Sequence, residues 1–201
     1  MFFCVKILKK LFFKIACFLY FKLWSLGLWT PRDRAFLVEN LLPWVSANYA
    51  RVLFVGVQKY TKDYEKYFLN NQAESIDIDY DQARWGFRKH HFGALATLKE
   101  KNLCYEAIIL NGVIGYGLNT QIECEQFIAD CADLLTPHGL LLIGVNPNEM
   151  GDVRLTKLSC LQIQFWPTAA DGNKRTVEIQ NEIFKSIFHH YYFYEKRSEI
   201  L

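Results

Sequence analysis

The fold is decided by residues 51–56, Arg-Val-Leu-Phe-Val-Gly, where an apolar run stops abruptly at Gly56. A run of this kind predicts a strand buried on both faces, because a half-exposed strand alternates apolar and polar residues. Comparable runs follow at residues 75–79, 107–110 and 139–144, and residues 91–92 suggest one more short strand. We therefore predict a parallel sheet that helices cover on both faces.

Segments with helical spacing separate these runs. The first, over 35–50, contains Pro43, which we expect to break or kink the helix because proline lacks an amide hydrogen. Further helices are expected at residues 61–70, 95–101 and 120–135, the last followed by Pro137-His-Gly139 with glycine just past its end. Strands that alternate with helices predict a Rossmann-like three-layer α/β/α fold with a mostly parallel sheet.

The pattern weakens beyond residue 146. Strands are expected at residues 161–166 and 191–194, and a helix at residues 176–188. Together they predict an antiparallel strand at the edge of the sheet. We assign residues 31–201 to one Rossmann-like domain and residues 1–30 to a separate N-terminal segment.

The N-terminal segment is basic and aromatic. Residues 1–34 carry seven basic side chains and one acidic, a charge of +6, whereas the rest carries 16 basic and 20 acidic, a charge of −4. Lys6, Lys10 and Lys14 recur every four residues, which places them on one helical stripe among bulky apolar residues. We expect this helix to lie on an anionic membrane surface. Packing on the body or a second subunit, and a single-pass anchor over 15–29, remain the alternatives.

Charge and cysteine spacing exclude some classes of partner. The acidic body lacks the basic surface that a nucleic-acid-binding protein usually has, so no nucleic acid is expected. The six cysteines show no CxxC spacing, and His189 and His190 are adjacent, so they would point to opposite sides of a strand. We expect no metal, and a cytoplasmic protein with a peripheral position at the inner face of the membrane.

Ligands in an open α/β sheet bind beyond the carboxyl ends of the strands. The first such loop begins at Gly56, which is either a simple turn residue or the point where a cofactor approaches the backbone. The second carries Asp77, 21 positions after Gly56, and Asp79. A carboxylate at this spacing commonly binds ribose hydroxyls, although a solvated acidic turn is the other reading. GxGxxG does not occur, which argues against a nicotinamide-dependent enzyme.

Four segments in order, VLFVG, SIDIDYDQA, YEAIILNG and LLTPHGLLLIGVN, resemble the core of the class I S-adenosylmethionine (SAM)-dependent methyltransferases. The resemblance covers residues 51–146, about half of the chain. His138 stands where the family's turn into the fifth strand has glycine. The family's GxGxG loop is reduced to Gly-Val-Gln-Lys-Tyr, and Ala94 replaces the acid that often contacts adenine.

The resemblance implies SAM as cofactor. The cofactor-binding residues that it implies are Gly56, Val57, Tyr60, Asp77, Asp79, Ala94 and Asn111. The loop over 111–119 would face the methyl donor and acceptor, so Asn111, Tyr116 and Asn119 become candidates for orienting the acceptor.

His91 or its neighbour His90 is the candidate general base, each with a purely structural role as the alternative. The expected function is methyl transfer to a small molecule, a saccharide or a lipid-linked acceptor. The alternative, motivated by the shortened glycine loop, is a non-catalytic relative that serves as a scaffold or interaction module.

Overall fold

The computed structural model describes residues 30–68, 72–170, 175–181 and 187–198, together with Leu19, Lys22 and Leu23. The predicted interfacial helix over 1–30 therefore lies almost wholly outside the described residues. Within the described ranges, no helix is both long and apolar enough to cross a membrane.

The described residues form one mixed sheet in the order β3-β2-β1-β4-β5-β8-β6, with β7 also paired to β8. The first five strands run parallel, whereas β8 is antiparallel to β5, β6 and β7. The mostly parallel sheet with antiparallel strands at one edge is thus confirmed. The strands are β1 Val52–Val55, β2 Ala73–Asp77, β3 His90–Phe92, β4 Tyr105–Asn111, β5 Leu135–Val145, β6 Phe165–Pro167, β7 Thr176–Gln180 and β8 Phe188–Lys196.

Both faces of the sheet are buried, as the continuous apolar runs predict. In β4, Ile108 and Leu110 pack into one core layer, while Ala107 and Ile109 pack into the other. These four side chains are at most 1% exposed. Because fully burying an aliphatic side chain of this size stabilises a fold by roughly 1.5–3 kcal/mol, the central strands fix the position of the loops at their carboxyl ends.

The first helix runs through Pro43 rather than ending there. Helix α1, Arg32–Phe36, continues through a π-turn at Leu37–Leu41 into helix α2, Leu42–Asn48. The amide of Leu42 bonds to the carbonyl of Leu37, five residues earlier, so the chain is already widened where the proline lacks a hydrogen-bond donor. Of the predicted break or kink at Pro43, the break does not occur, since the π-turn accommodates the proline.

Three further helices, α3 Ala96–Glu100, α4 Gln121–Leu134 and α5 Ser159–Gln164, cover the sheet. Helix α4 begins at a capping box in which Thr120 Oγ1 accepts the Glu123 amide at 3.2 Å. In return, the Glu123 carboxylate accepts the Thr120 amide at 3.0 Å. The helix passes directly into β5. In that strand His138, and not the neighbouring Gly139, has the left-handed backbone conformation, with φ 63°.

Two segments differ from the predicted helices. Where a helix over 61–70 is predicted, the described residues up to Phe68 form short 3₁₀ turns at Lys59–Thr61 and Tyr64–Tyr67. The predicted helix over 176–188 begins as β7, whose alternating polar and apolar side chains follow the period of a strand. Similarly, the predicted strand over 161–166 is mostly α5, and only its end belongs to β6.

Candidate functional site

A cavity of about 460 Å³ opens at the carboxyl edge of the sheet. It lies between the ends of β1 and β4, where the strand order reverses and open α/β sheets bind their ligands. Eight residues expected to bind cofactor or acceptor line this cavity: Gly56, Val57, Tyr60, Asp77, Asp79, Ala94, Asn111 and Tyr116.

Asp77 ends β2 with its carboxylate fixed by two backbone amides. Its Oδ2 accepts the Val57 amide at 2.7 Å, and its Oδ1 accepts the Asp79 amide at 2.8 Å. An ionised carboxylate has about four acceptor positions, so two bonds leave capacity for ligand hydroxyls. The side chain is therefore a pre-oriented acceptor on the cavity wall.

Gly56 adopts a backbone conformation that other residues rarely take. Its φ is +81°, and a Cβ added there would lie 3.2 Å from Val113 Cγ2. The residue therefore serves as the turn after β1, and its missing side chain also leaves space in the cavity that it lines.

The loop after Gly56 uses several of its own hydrogen-bond donors. The Val57 amide bonds to Asp77, and the Gln58 amide bonds to Thr61 Oγ1 at 2.9 Å. Thr61 returns its hydroxyl to the Gln58 carbonyl at 2.9 Å. These hydrogen bonds close a 3₁₀ turn at Lys59–Thr61. The Val57 and Gln58 amides are therefore engaged within the chain and are not open to a ligand.

Asn111 ends β4 and is only 6% exposed. Its Oδ1 lies 3.1 Å from Nε2 of His189 in β8, and its Nδ2 has no hydrogen-bond partner among the described residues. Gly144 makes room for this pair, because a Cβ there would lie 2.2 Å from Asn111 Oδ1. The amide nitrogen is thus an uncommitted donor at a residue that lines the cavity.

His189 stays neutral inside the protein. Burial lowers its pKa to about 3, and the nearby charge of Arg34 acts in the same direction. A neutral imidazole that carries its proton on Nε2 donates to Asn111 Oδ1, which orients the amide. No local pattern indicates this role, because the two residues are 78 positions apart in the chain.

Tyr116 lies on a loop that packs against the segment after β5. Gly115 in this loop has φ +91°, and a Cβ there would lie 2.5 Å from the Glu149 carbonyl oxygen. The tight contact holds the neighbouring Tyr116 at the cavity mouth, where it is 63% exposed. Asn119 is not among the residues that line the cavity; its amide bonds to Glu123 instead.

Solved structures with a similar fold include methyltransferases. N-methyltransferase NodS from Bradyrhizobium japonicum WM9 matches with a TM-score of 0.60 at 12% identity, over 83% of this chain and 97% of that one. Its complex with S-adenosyl-L-homocysteine (SAH) matches with a TM-score of 0.57 at 14% identity, over 84% and 87% of the two chains. This chain has the class I SAM-dependent methyltransferase fold.

The PH0226 protein from Pyrococcus horikoshii OT3 matches with a TM-score of 0.61 at 14% identity, over 83% of this chain and 91% of its own. No family model and no curated protein matches the sequence. The likeness therefore rests on the fold, and the roles of individual residues follow from the site itself.

His91 does not line the cavity of this methyltransferase fold. Its Nε2 lies 2.7 Å from Glu74 Oε2, which also accepts the Tyr105 hydroxyl at 2.9 Å. The other carboxylate oxygen of Glu74, Oε1, pairs with Lys89. Glu74 is buried, and its partners hold the pKa of the carboxyl below its usual value although burial alone would raise it. The structure thus places His91 in an ion cluster around Glu74, away from the cavity lining, and its role as general base stays a prediction.

Sequence reasoning also missed Arg34, which it counted only as part of the basic N-terminus. Helix α1 brings its guanidinium over the Tyr60 ring, with Cζ 4.5 Å from the ring centroid. No group of histidine, cysteine and acidic side chains within the described ranges is arranged to hold a metal ion.

Proposed function

We propose that this chain is a SAM-dependent methyltransferase whose acceptor is a small molecule or a saccharide, lipid-linked saccharides included. The observation that carries the proposal is the Asp77 carboxylate, fixed by two amides at the edge of a cavity that Gly56 leaves open. Structural neighbours that are methyltransferases support it, and one of them has been solved with SAH.

The residues present fit the adenosine half of SAM. Asp77 accepts hydrogen bonds from ribose hydroxyls, and Asp79 lies two residues further on the same wall. Ala94 lines the same cavity and presents no side chain beyond Cβ, so its backbone amide is the adenine contact that we assign. Gly56, Val57 and Tyr60 line the path towards Asn111.

When bound, SAM supplies a methyl group on a positively charged sulfur, which a nucleophilic atom of the acceptor displaces. The chain's own residues orient that acceptor, because in-line displacement gains most from positioning. We assign this role to Asn111, whose Nδ2 is uncommitted, and to Tyr116 at the cavity mouth.

Calorimetric titration with SAH tests the proposal. We expect Asp77→Ala to lower the affinity for SAH at least tenfold, since hydrogen bonds to a charged group contribute about 1.5–3 kcal/mol each. Asp81→Ala is the matched control, because Asp81 belongs to the same acidic turn but does not line the cavity. A well-folded wild-type chain that binds no SAH would overturn the proposal.

A second candidate is a non-catalytic relative that keeps the fold as an interaction module. The observation in its favour is that the Val57 and Gln58 amides are already bonded within the chain. Under this reading the folded chain binds no SAH, and Asp77→Ala leaves its cellular activity unchanged.

We further propose that residues 1–30 hold the enzyme at the cytoplasmic membrane surface through their lysine stripe. Flotation of the full chain with anionic vesicles tests this, compared with a variant carrying glutamate at Lys6, Lys10 and Lys14. Equal partition of the two proteins would contradict membrane binding and favour packing on protein.

A further inference from the structure

Arg34 lies against the wall of the cavity at its Asn111 end. Its Nη2 is 3.4 Å from the Tyr60 hydroxyl and 3.8 Å from the position that a Cβ on Gly112 would occupy. Tyr60 and Gly112 both line the cavity. The guanidinium is therefore adjacent to the space that a ligand would fill, although its side chain is only 13% exposed.

The charge of Arg34 is incompletely paired by the described residues. Its Nε is 3.7 Å from Asp33 Oδ2, which is beyond hydrogen-bond distance. Its Nη1 is buried and has no hydrogen-bond partner in the described part of the chain. A guanidinium carries five donors in a planar fork that matches a carboxylate or phosphate, and burying it without such a partner is costly.

This charge persists over the whole working range of pH. Burial alone would lower the pKa of Arg34, but Tyr60, Tyr64 and Asp33 raise it above its ordinary value. The neighbouring His189 is neutral, so it adds no positive charge to this end of the cavity.

One further observation points to an anion at the same place. Asn111 Nδ2, on a residue that is 6% exposed, is a donor without a partner among the described residues. By contrast, the Val57 and Gln58 amides, which a glycine-rich loop would offer to an anion, are already bonded within the chain. Arg34 and Asn111 together thus supply the donors that the loop no longer offers.

We infer that Arg34 binds a carboxylate or phosphate group of a ligand in this cavity, with Asn111 as the second donor. The inference rests on the proposed function for the ligand's identity. The anionic group comes either from the methionine part of the cofactor or from the acceptor, and the two sources are separable by experiment.

The first arm compares SAH with 5′-methylthioadenosine, which lacks the carboxylate. If the cofactor supplies the anion, Arg34→Gln lowers the affinity for SAH at least tenfold and changes the affinity for 5′-methylthioadenosine less than twofold. The second arm titrates inorganic phosphate and acetate into the SAH-bound chain. If the acceptor supplies the anion, Arg34→Gln leaves the affinity for SAH unchanged and lowers the affinity for phosphate or acetate at least tenfold.

Arg175→Gln is the matched control, because it removes the same charge at an exposed residue next to β7. If Arg34→Gln does not fold, Arg34→Lys replaces it, because lysine keeps the charge but lacks the planar fork of donors. We expect this variant to lose part of the affinity for the same ligand.

The inference is overturned if Arg34→Gln binds SAH, phosphate and acetate with affinities within twofold of wild type. A wild-type chain that binds neither nucleoside refutes the proposed function instead, and phosphate titration of the ligand-free chain then still decides whether Arg34 is an anion site.

Discussion

Acid should destabilise this protein through one buried side chain, His189. Its pKa lies near 3 in the folded chain, against 6.5 for an ordinary histidine, mainly because burial disfavours the charged ring. Below pH 6.5 the unfolded chain therefore binds a proton that the folded chain does not, so stability falls as the pH falls. The contribution is fully present above pH 6.5 and is lost progressively towards pH 3.

The size of the effect follows from the difference in pKa. At pH 5, 1.5 units below 6.5, the unfolded state gains about 2 kcal/mol from protonation, at 1.36 kcal/mol per unit. Urea unfolding at pH 7.5 and pH 5 measures the loss for the wild type and for His189→Gln. We expect the variant to lose about 2 kcal/mol less than the wild type between the two values.

His138→Gln provides the comparison, because that histidine is 67% exposed and bonds only to Glu195 at the surface. Comparing variants in this way cancels the contributions of other groups that titrate in the same range. If His189→Gln and the wild type lose the same free energy between pH 7.5 and pH 5, the buried neutral imidazole is not the cause and the reasoning fails.

Three substitutions test other features. Gly144→Ala should destabilise the fold by about 1–3 kcal/mol, because its Cβ would lie 2.2 Å from Asn111 Oδ1. Thr120→Ala should cost about 1 kcal/mol by removing the cap that accepts the Glu123 amide. Gly56→Ala should weaken SAH and lower stability by about 1–2 kcal/mol, because φ is +81° there. Urea unfolding measures all three changes in stability, and calorimetric titration measures the affinity for SAH.

The substitutions at Gly144 and Thr120 each have a counterpart elsewhere in the chain. In Gly117→Ala the new Cβ would lie 3.8 Å from the Val113 carbonyl oxygen, which is ordinary van der Waals contact, so we expect little loss of stability. Thr156→Ala changes an exposed threonine without a capping role. Equal losses within either pair would show that the contacts named for Gly144 or Thr120 do not matter.

The sequence was sufficient for the central strands and for the loops that carry the site. Continuous apolar runs such as that of β5 have few alternatives to a doubly covered strand, and the carboxyl ends of those strands then place Asp77 and Asn111 at one edge. The spacing between Gly56 and Asp77 predicts a ribose-binding carboxylate. The structure places Asp77 on the cavity wall, where it accepts the Val57 amide, and its role towards ribose stays a prediction.

The features that the sequence did not reveal depend on partners that are distant in sequence. His91 follows a plausible strand end, and its contact with Glu74 in the neighbouring strand becomes visible only in the structure. Arg34 carries no local sign that it lies beside the cavity, because only the packing of α1 brings it to Tyr60. The sequence pattern predicts a helix over 176–188, although pairing with β8 makes residues 176–180 a strand.

Strand β8 is the last strand in the sequence, so during translation it is synthesised after the rest of the sheet. Tyr191 in β8 donates its hydroxyl to the Asp33 carbonyl at 2.8 Å, and His189 contacts Asn111 from 78 positions further along the chain. A ribosome therefore translates Asp77 and Asn111 well before the β8 residues that pack beside Asn111 emerge. Chains that stall or are cleaved before β8 would hold Asp77 and yet lack the imidazole that orients Asn111, together with the strand that pairs with β5.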